Sequence, residues 1–263
     1  MDAPTQPDRP LPVAVSCTII ARDEADRIAR CIESVKGIAR EIVVIDSGST
    51  DGTVALAERH GARCHFNPWT GYGQQKRFAE EMARHDWVLN LDADEWLPEP
   101  VRAELIDLLS RPIPPGIHGF AFTISHVYPG HERPRPLADY HTYVRLYDKT
   151  RCRFPESSVF DEIKLAPEHR GRVRAPVYHQ SIRSLGHLIE KNTAYFRLQA
   201  REVRKARLPT LLRICVEPLT TFLKYYLVRR HITGGVYGFL VASTIAGLRT
   251  YRLALFLKGR REP

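Results

Sequence analysis

The chain has 263 residues, enough for one large domain with an appendage, and its 43% hydrophobic residues are typical of a globular protein. Its net charge of +9 comes from the end of the chain: residues 1–200 hold 26 Lys and Arg against 27 Asp and Glu, while residues 201–263 hold 13 against 3. Its five cysteines are widely spaced and include no Cys-X-X-Cys pair, which argues against a zinc site and a disulfide framework.

The first half of the chain alternates strand and helix patterns. Residues 1–12, rich in proline and aspartate, lack the basic start and apolar run of a signal peptide, so we expect a disordered segment and a cytoplasmic protein. Strands are predicted at 13–21, 41–46, 62–67 and 86–91, and helices at 26–36, 53–60 and 74–84. This order predicts an α/β fold with a mostly parallel sheet that binds ligands at the carboxyl ends of its strands.

The pattern changes after the proline-rich segment 111–116, which we interpret as a hinge between two halves, 13–110 and 111–184. Strand patterns return at 120–128, 142–148 and 173–179, and from residue 185 helical patterns continue to the end. Cys31 falls on one helix face with Ile28, Ile32 and Val35, so we expect it to be a core thiol.

Three predicted strands end in acidic residues. Asp92 and Asp94 follow the fourth strand, and strand alternation predicts that they face the same way and share one cation. Mg²⁺ or Mn²⁺ would suit such oxygen ligands, with substrate diphosphate completing its shell. The alternatives are that Asp92 and Asp94 only cap a turn at the strand end and that the Ser, Thr and Asp residues of 46–52 only cap a helix. We favour a site, because Asp23, Glu24 and Asp46 end neighbouring strands and converge on the same edge.

The segment 46–52 contains two glycines but neither the Gly-X-Gly-X-X-Gly pattern of dinucleotide folds nor the Gly-Lys-Ser/Thr of a P-loop. NAD chemistry and ATP hydrolysis are therefore not supported. The motifs in 18–24, 45–52, 71–76 and 91–95 together resemble an inverting family 2 glycosyltransferase, and most closely the bacterial lipopolysaccharide-core glucosyltransferases. The resemblance implies a GT-A type, Rossmann-like fold whose nucleotide-sugar-binding half is 13–110 and whose acceptor-binding half is 111–184.

The same resemblance implies roles for individual residues. Glu24 and Asp46 match positions that contact the ribose and the base, Lys76 a basic position near the nucleotide, Asp92 the residue near the ribose, and Asp94 the metal ligand. Carboxylates accept hydrogen bonds from ribose hydroxyls or a uracil N–H, and a cation neutralises a departing diphosphate. Asp23 departs from the asparagine usual in its motif.

The general base is expected in the segment 159–163, where the family usually has His-Glu. Glu162 matches that glutamate and is the predicted base, with Asp161 and Glu156 as alternative bases. A further alternative is that all three acids lie in a solvated loop without a catalytic role. His179 is predicted as a further metal ligand, against the alternative of a structural histidine at a strand end. Arg145 either meets the diphosphate or is an exposed strand arginine.

Residues 185–263 form the predicted helical appendage, whose last 63 residues carry a net charge of +10 beside long apolar stripes. We interpret it as a basic tail resting on an anionic membrane surface, against the alternative that it packs on protein. No nucleic-acid-binding motif is visible, so no nucleic-acid partner is expected.

Together these features predict a metal-dependent transferase that moves a hexose from a nucleotide-sugar donor, UDP-glucose by resemblance, to a lipid-linked saccharide acceptor such as the lipopolysaccharide inner core. The expected location is the cytoplasmic face of the cell membrane. Two alternatives are a transferase for another capsular or lipid-linked glycan, and a non-catalytic membrane-associated module that retains the nucleotide fold.

Overall fold

The structure is a computed structural model that describes residues 11–158, 160–202 and 207–258. Residues 1–10 of the predicted disordered segment lie outside the described residues. Leu11, in contrast, is buried in the core, and its carbonyl oxygen accepts a hydrogen bond from Arg40 NH2 at 2.6 Å. The chain divides into two compact units, a sheet unit that runs to Ser125 and includes Tyr140–His179, and a helical unit made of His126–Asp139 and the chain from Gln180 onward.

The sheet unit contains eight strands and four α-helices among the described residues. In chain order these are β1 (Val15–Ala21), α1 (Ile28–Val35), β2 (Glu41–Asp46), α2 (Thr53–Arg59), β3 (Arg63–Phe66), α3 (Tyr72–Met82), β4 (Trp87–Asp92), β5 (Glu95–Trp96), α4 (Glu99–Leu109), β6 (Gly119–His126), β7 (Tyr140–Asp148) and β8 (Arg170–His179). A short 3-10 helix, Pro167–His169, precedes β8.

The strands form one mixed sheet in the order β3-β2-β1-β4-β7-β6-β8-β5. The pairs β1–β2, β2–β3 and β1–β4 are parallel, as the alternating strand and helix patterns predict. The pairs β4–β7, β6–β7 and β5–β8 are antiparallel. The prediction of a mostly parallel sheet therefore holds for the first half only, because no crossover helix joins β6 to β7 and the two strands pair directly.

The core of the sheet unit follows from the apolar patterns. Six of the seven residues of β1 are buried, as expected of a central strand covered on both faces. On α1, Ile28, Cys31, Ile32 and Val35 are at most 1% exposed and form the buried stripe. The prediction that Cys31 is a core thiol is confirmed, and its burial raises the pKa of the thiol well above its ordinary value.

The helical unit contains α5 (Leu185–Glu202), α6 (Arg207–Leu223) and α7 (Gly235–Lys258), and α7 packs against both α5 and α6. The π-helical turn Lys224–Val228 follows α6, and the 3-10 turn His231–Gly234 precedes α7. The predicted tail began at residue 185. In the structure the helical unit begins five residues earlier and also includes His126–Asp139, the connection between β6 and β7.

This connection is held to the start of α7 by a buried polar cluster. The Tyr128 hydroxyl is hydrogen-bonded to Nδ1 of His231 at 2.5 Å and accepts a hydrogen bond from Nε of Arg135 at 3.1 Å. Burial, reinforced by the charge of Arg135, lowers the pKa of His231 to about 4. Gly238 allows the turn at His231 to pack closely on α7, since a Cβ at Gly238 would stand 1.8 Å from the carbonyl oxygen of His231.

Candidate active site

The acidic ends of β1, β2 and β4 meet at one edge of the sheet. The strand register sets Ala21 opposite Asp46 and Ile20 opposite Asp92, so the loops that follow these strands leave the sheet together. Two of the loops are directly joined: the Asp23 amide donates to Ser49 Oγ at 2.8 Å. The predicted convergence of acidic strand ends is therefore confirmed.

The loop after β1 depends on Asp23 and Arg27. Asp23 has φ +54°, a conformation that Asn and Asp adopt more readily than most residues with a side chain, so either residue suits this position. Its Oδ1 accepts a hydrogen bond from the Thr50 amide at 2.8 Å. Glu24 is bound by Arg27, whose Nε donates to Glu24 Oε2 at 2.7 Å and whose NH1 lies 3.5 Å from Asp94 Oδ2. Arg27 thus links the acidic ends of β1 and β4.

Asp46 shapes the loop that follows β2. Its carboxylate is nearly buried, and Oδ2 accepts from the amides of Gly48 at 2.8 Å and Ser49 at 2.9 Å. The capping alternative holds in part for Asp51, whose Oδ1 accepts from the Thr53 amide at 3.1 Å in the first turn of α2. Because the amides that Asp46 binds lie in the loop before α2, Asp46 fixes the geometry of this loop and does not cap the helix.

Asp92 lies between two buried cations. Lys76 Nζ is 2.9 Å from Asp92 Oδ1, and Arg145 NH2 is 3.0 Å from Asp92 Oδ2. Burial opposes ionisation of Asp92, but the charges of Lys76 and Arg145 outweigh it and hold the pKa of the carboxyl below its ordinary value. Asp92 is therefore an ionised carboxylate, of which 31% of the side chain is open to a ligand.

Arg145 is 5% exposed, so the interpretation of an exposed strand arginine is wrong. It reaches Asn90 Oδ1 at 3.0 Å and forms an ion pair with Glu95, which is 1% exposed. Burial disfavours its charge, but Glu95 and Asp92 raise the pKa of the guanidinium, so the cation is retained. The sequence analysis included Glu95 in the motif 91–95 but assigned it no role, because only its place directly after Asp-Ala-Asp marked it.

Asp94 lies beside His179. The antiparallel pair β5–β8 sets Glu95 opposite His179, and this pairing brings Nε2 of His179 to 3.2 Å from Asp94 Oδ1. Burial lowers the pKa of His179, but the hydrogen bond and charge of Asp94 outweigh it and raise that pKa. Because β4 ends at Asp92, Asp94 occupies the following turn. The expectation that strand alternation sets Asp92 and Asp94 on one face is therefore wrong, and each has its own partners.

The donor atoms of Asp94 and His179 fit a divalent cation, since carboxylate oxygen and neutral imidazole are both ligands of Mn²⁺. Within residues 11–158, 160–202 and 207–258, no group of three or more His, Cys, Asp or Glu side chains is arranged to hold a metal ion. A cation at Asp94 and His179 would therefore take its remaining ligands from substrate and water, as Mg²⁺ and Mn²⁺ sites commonly do.

Residues 155–158 and 160 pack on the first turn of α3. The amides of Tyr72 and Gln74 donate to the carbonyl oxygens of Ser158 and Ser157, so this segment satisfies part of the helix N-terminus. Gly73 permits the approach, because a Cβ there would stand 2.4 Å from the carbonyl oxygens of Phe160 and Pro155. The glycines of the 71–76 motif therefore serve packing of this segment.

Of the carboxylates near the predicted base, Asp161 is the one that the structure joins to the site. Its Oδ2 is 2.9 Å from Lys76 Nζ, so Lys76 bridges Asp92 and Asp161. Glu162 is exposed, and no hydrogen bond or ion pair joins its side chain to another described residue. Glu156 lies 3.8 Å from Arg77 NH2 and is 76% exposed. Val159 lies outside the described residues.

A buried carboxylate that the sequence did not reveal anchors the start of this segment. Glu80 is fully buried in α3, where Oε1 accepts from the Tyr147 hydroxyl at 2.8 Å and from the Phe154 amide at 3.0 Å. Its Oε2 accepts from Arg153 Nε at 2.8 Å. These three bonds connect α3, β7 and the segment that leads to Asp161.

Residues 16–157 match the family model described as glycosyl transferase family 2. An uncharacterized glycosyltransferase of Rickettsia bellii is 34% identical over 249 residues, covering 91% of this chain and 85% of the relative. The lipopolysaccharide core biosynthesis glycosyltransferase LpsC of Rhizobium meliloti is 30% identical, covering 88% of this chain and 91% of the relative. A solved structure of glucosyl-3-phosphoglycerate synthase from Mycobacterium tuberculosis, with Mn²⁺, UDP and glucosyl-3-phosphoglycerate, is similar with a TM-score of 0.35 and 27% identity, covering 45% of each chain.

Proposed function

The chain belongs to glycosyltransferase family 2 and has its GT-A type fold, and we propose that it transfers a hexose from UDP-glucose to a lipid-linked glycan with inversion at the anomeric carbon. The observation that carries this proposal is the set of strand-end carboxylates at one sheet edge, where Asp92 is clamped by Lys76 and Arg145 and Asp94 meets His179. Such an arrangement suits a ligand that presents hydroxyls to one carboxylate and a diphosphate to a cation beside the other.

The nucleotide is proposed to bind at the ends of β1, β2 and β4. Glu24, Asp46 and Asp92 supply carboxylate acceptors for the ribose hydroxyls and the uracil N–H. Lys76 holds Asp92 ionised and in place, because its ammonium lies 2.9 Å from Asp92 Oδ1 and is itself only 2% exposed. The ionised Asp92 accepts from hydroxyls more strongly than a protonated carboxyl would.

Asp94 and His179 are the residues that would hold Mg²⁺ or Mn²⁺. The cation supplies positive charge that stabilises the diphosphate as a leaving group. Arg27, which reaches both Glu24 and Asp94, is positioned to hold the β1 loop against this part of the site.

In the proposed reaction the acceptor hydroxyl oxygen forms a bond to C1 of the hexose while the bond from C1 to the β-phosphate oxygen breaks. UDP leaves with that electron pair, and the hydroxyl proton passes to a carboxylate of the protein. Glu162 is the proposed base: it is exposed and has no ion-pair partner among the described residues, whereas Asp161 is paired with Lys76.

The similarity to LpsC supports an acceptor from lipopolysaccharide core synthesis, with another capsular or lipid-linked glycan as the second candidate. Such acceptors are built in the membrane, so the proposed location is the cytoplasmic face of the cell membrane, where nucleotide sugars are available.

The test is UDP binding, measured by calorimetry in Mn²⁺ and in EDTA. Binding should require the cation and should be lost in Asp94→Asn. The matched control is Asp23→Asn, which keeps an oxygen to accept from the Thr50 amide and should bind as the parent does. Equal UDP affinity in Mn²⁺ and in EDTA would contradict the proposed metal site. A thermal-shift comparison of nucleotide sugars then identifies the donor, since a ligand at 100 times its Kd stabilises by about 2.7 kcal/mol.

A further inference from the structure

One face of α6 is apolar and open to solvent. Its large side chains recur every three or four residues and are between 41% and 69% exposed: Leu208, Leu211, Leu212, Val216, Leu219 and Leu223. Cys215 lies in the same stripe and is also exposed. A contiguous apolar stripe of this length is unusual on a soluble surface and marks an interaction site.

The stripe continues into the turn after α6 and the start of α7. Leu227, Val228, Ile232, Val236, Phe239 and Leu240 are between 42% and 78% exposed. The two helices meet here, because the rings of Phe222 and Phe239 pack edge to face with centroids 5.5 Å apart. We call the exposed residues of α6, the turn and the first part of α7 the apolar face.

Exposed basic residues interrupt the apolar face where α6 gives way to α7. Lys224, Arg229 and Arg230 are exposed, and no ion pair joins their side chains to another described residue. Arg213, by contrast, pairs with Glu217 at 2.9 Å. Cations beside large apolar side chains complement a surface that is apolar within and anionic at its rim, which is the chemistry of an anionic lipid bilayer.

One stretch of the described residues, His231–Leu257, is long and apolar enough to cross a membrane, and a third of its most apolar window is buried in the protein. The length of its continuously apolar part and the packing of that part both argue against a membrane span. The apolar helical part, residues 235–248, has 14 residues and spans about 21 Å, which is short of a hydrocarbon core of about 30 Å. Arg249 and Arg252 follow, and Val241, Ala242 and Ala246 are buried.

We propose that the apolar face is the membrane-binding surface and lies in the plane of an anionic bilayer, with Lys224, Arg229 and Arg230 at the level of the lipid phosphates. The inference rests on the proposed function in one respect, that a lipid-linked acceptor lies in the same membrane. The docking itself needs neither donor nor acceptor, so it is measured separately from UDP binding.

Cys215 provides the probe, since the other described cysteines are buried or half-buried. An environment-sensitive fluorophore on Cys215 should shift to the blue on vesicles of phosphatidylglycerol and phosphatidylcholine, and the protein should sediment with them. Leu212→Glu and Leu219→Glu should each weaken sedimentation at least tenfold. Leu137→Glu is the matched control, because Leu137 is 66% exposed outside the apolar face, and it should sediment as the parent does.

The charge contribution is tested with Lys224→Gln and Arg229→Gln. Each exposed basic residue contributes about 1 kcal/mol near an anionic surface, so each variant should lose about fivefold in vesicle affinity at low salt, and less as salt screens the attraction. An affinity that is the same on neutral and anionic vesicles would overturn the assigned role of these cations.

Three results would overturn the proposal itself. The Cys215 fluorophore could keep its spectrum on vesicles that carry the protein, which would exclude the apolar face from the contact. Its spectrum could shift without lipid as protein concentration rises, together with dimer sedimentation, which would assign the face to a second copy. A fluorophore on Ala254→Cys could be protected from external dithionite on sealed vesicles, which would mean that α7 crosses the bilayer. UDP binding in the same samples reports separately on the donor site.

Discussion

Replacing Arg145 by methionine tests the charge arrangement around Asp92. Arg145→Met keeps an unbranched side chain but leaves Asp92 and the buried Glu95 without their shared cation. Removing one partner of a buried ion pair destabilises a protein by roughly 3–5 kcal/mol, because the other charge remains buried and uncompensated. At about 2–4 °C per kcal/mol for a domain of this size, the melting temperature should fall by roughly 6–20 °C.

The measurement is urea and thermal unfolding followed by tryptophan fluorescence, since Trp87 and Trp96 lie on the strands beside the site. Arg111→Met is the matched control: its side chain is 71% exposed and pairs with Asp107, so the loss should be at most about 1 kcal/mol. Adding Glu95→Gln to Arg145→Met should recover part of the stability, because the uncompensated charge is then removed. If Arg145→Met unfolds like Arg111→Met, the reasoning that Arg145 neutralises buried carboxylates is refuted.

Three further predictions concern the rest of the chain. Gly73→Ala should destabilise the protein by about 1–3 kcal/mol in thermal unfolding and lower transferase activity, because the added Cβ displaces the segment that carries Asp161. The control Gly247→Ala, with open space around its Cα, should be neutral or stabilising. Equal stability of the two variants would contradict the packing argument. Glu162→Gln should lower transfer by roughly 10²–10⁴ without changing UDP affinity, while Glu156→Gln stays near the parent; transfer by Glu162→Gln within a few-fold of the parent would assign the base elsewhere. His231 has a pKa lowered to about 4, so it stays neutral in the folded protein, whereas the unfolded chain binds a proton there below about pH 6.5. The free energy of unfolding should therefore fall by roughly 3 kcal/mol as pH drops from 6.5 to 4. His231→Gln should flatten that fall, measured by urea unfolding. An unchanged pH profile in His231→Gln would exclude the buried neutral imidazole.

The strands β1, β2 and β4 were predictable because each is a largely buried and mostly apolar run of six or seven residues flanked by clear turn signals. The short strand β3 is only half-buried, and its prediction depended on its place after the glycine that ends α2. The strand β5 was not, since two residues carry no periodic pattern, and its pairing with β8 joins positions more than 80 residues apart. No local sequence pattern indicates the contact between Asp94 and His179, because that contact depends on the pairing of β5 with β8. The prediction that His179 is a metal ligand rested on the metal-binding chemistry of histidine and not on any predicted contact with Asp94.

The buried position of Arg145 was hidden for a related reason. The strand β7 begins with four exposed residues and then becomes buried, so its polar residues read as the solvent side of an alternating strand. Arg145 is stabilised by carboxylates that approach from β4 and β5, and these partners are visible only once the strand order is known. The same limit applies to His126–Asp139, whose association with the helical unit depends on contacts of Tyr128 and Arg135 with residues near 230.

The most direct test of the account is release of UDP from UDP-glucose by the purified full chain in Mn²⁺, with membranes that carry a lipid-linked glycan as the acceptor. We expect release that depends on both the membranes and the cation, incorporation of glucose into the lipid fraction, and loss of both in Asp94→Asn but not in Asp23→Asn. UDP release that is as fast in Asp94→Asn as in the parent, with the same incorporation into lipid, would contradict the assignment of catalysis to the carboxyl edge of the sheet.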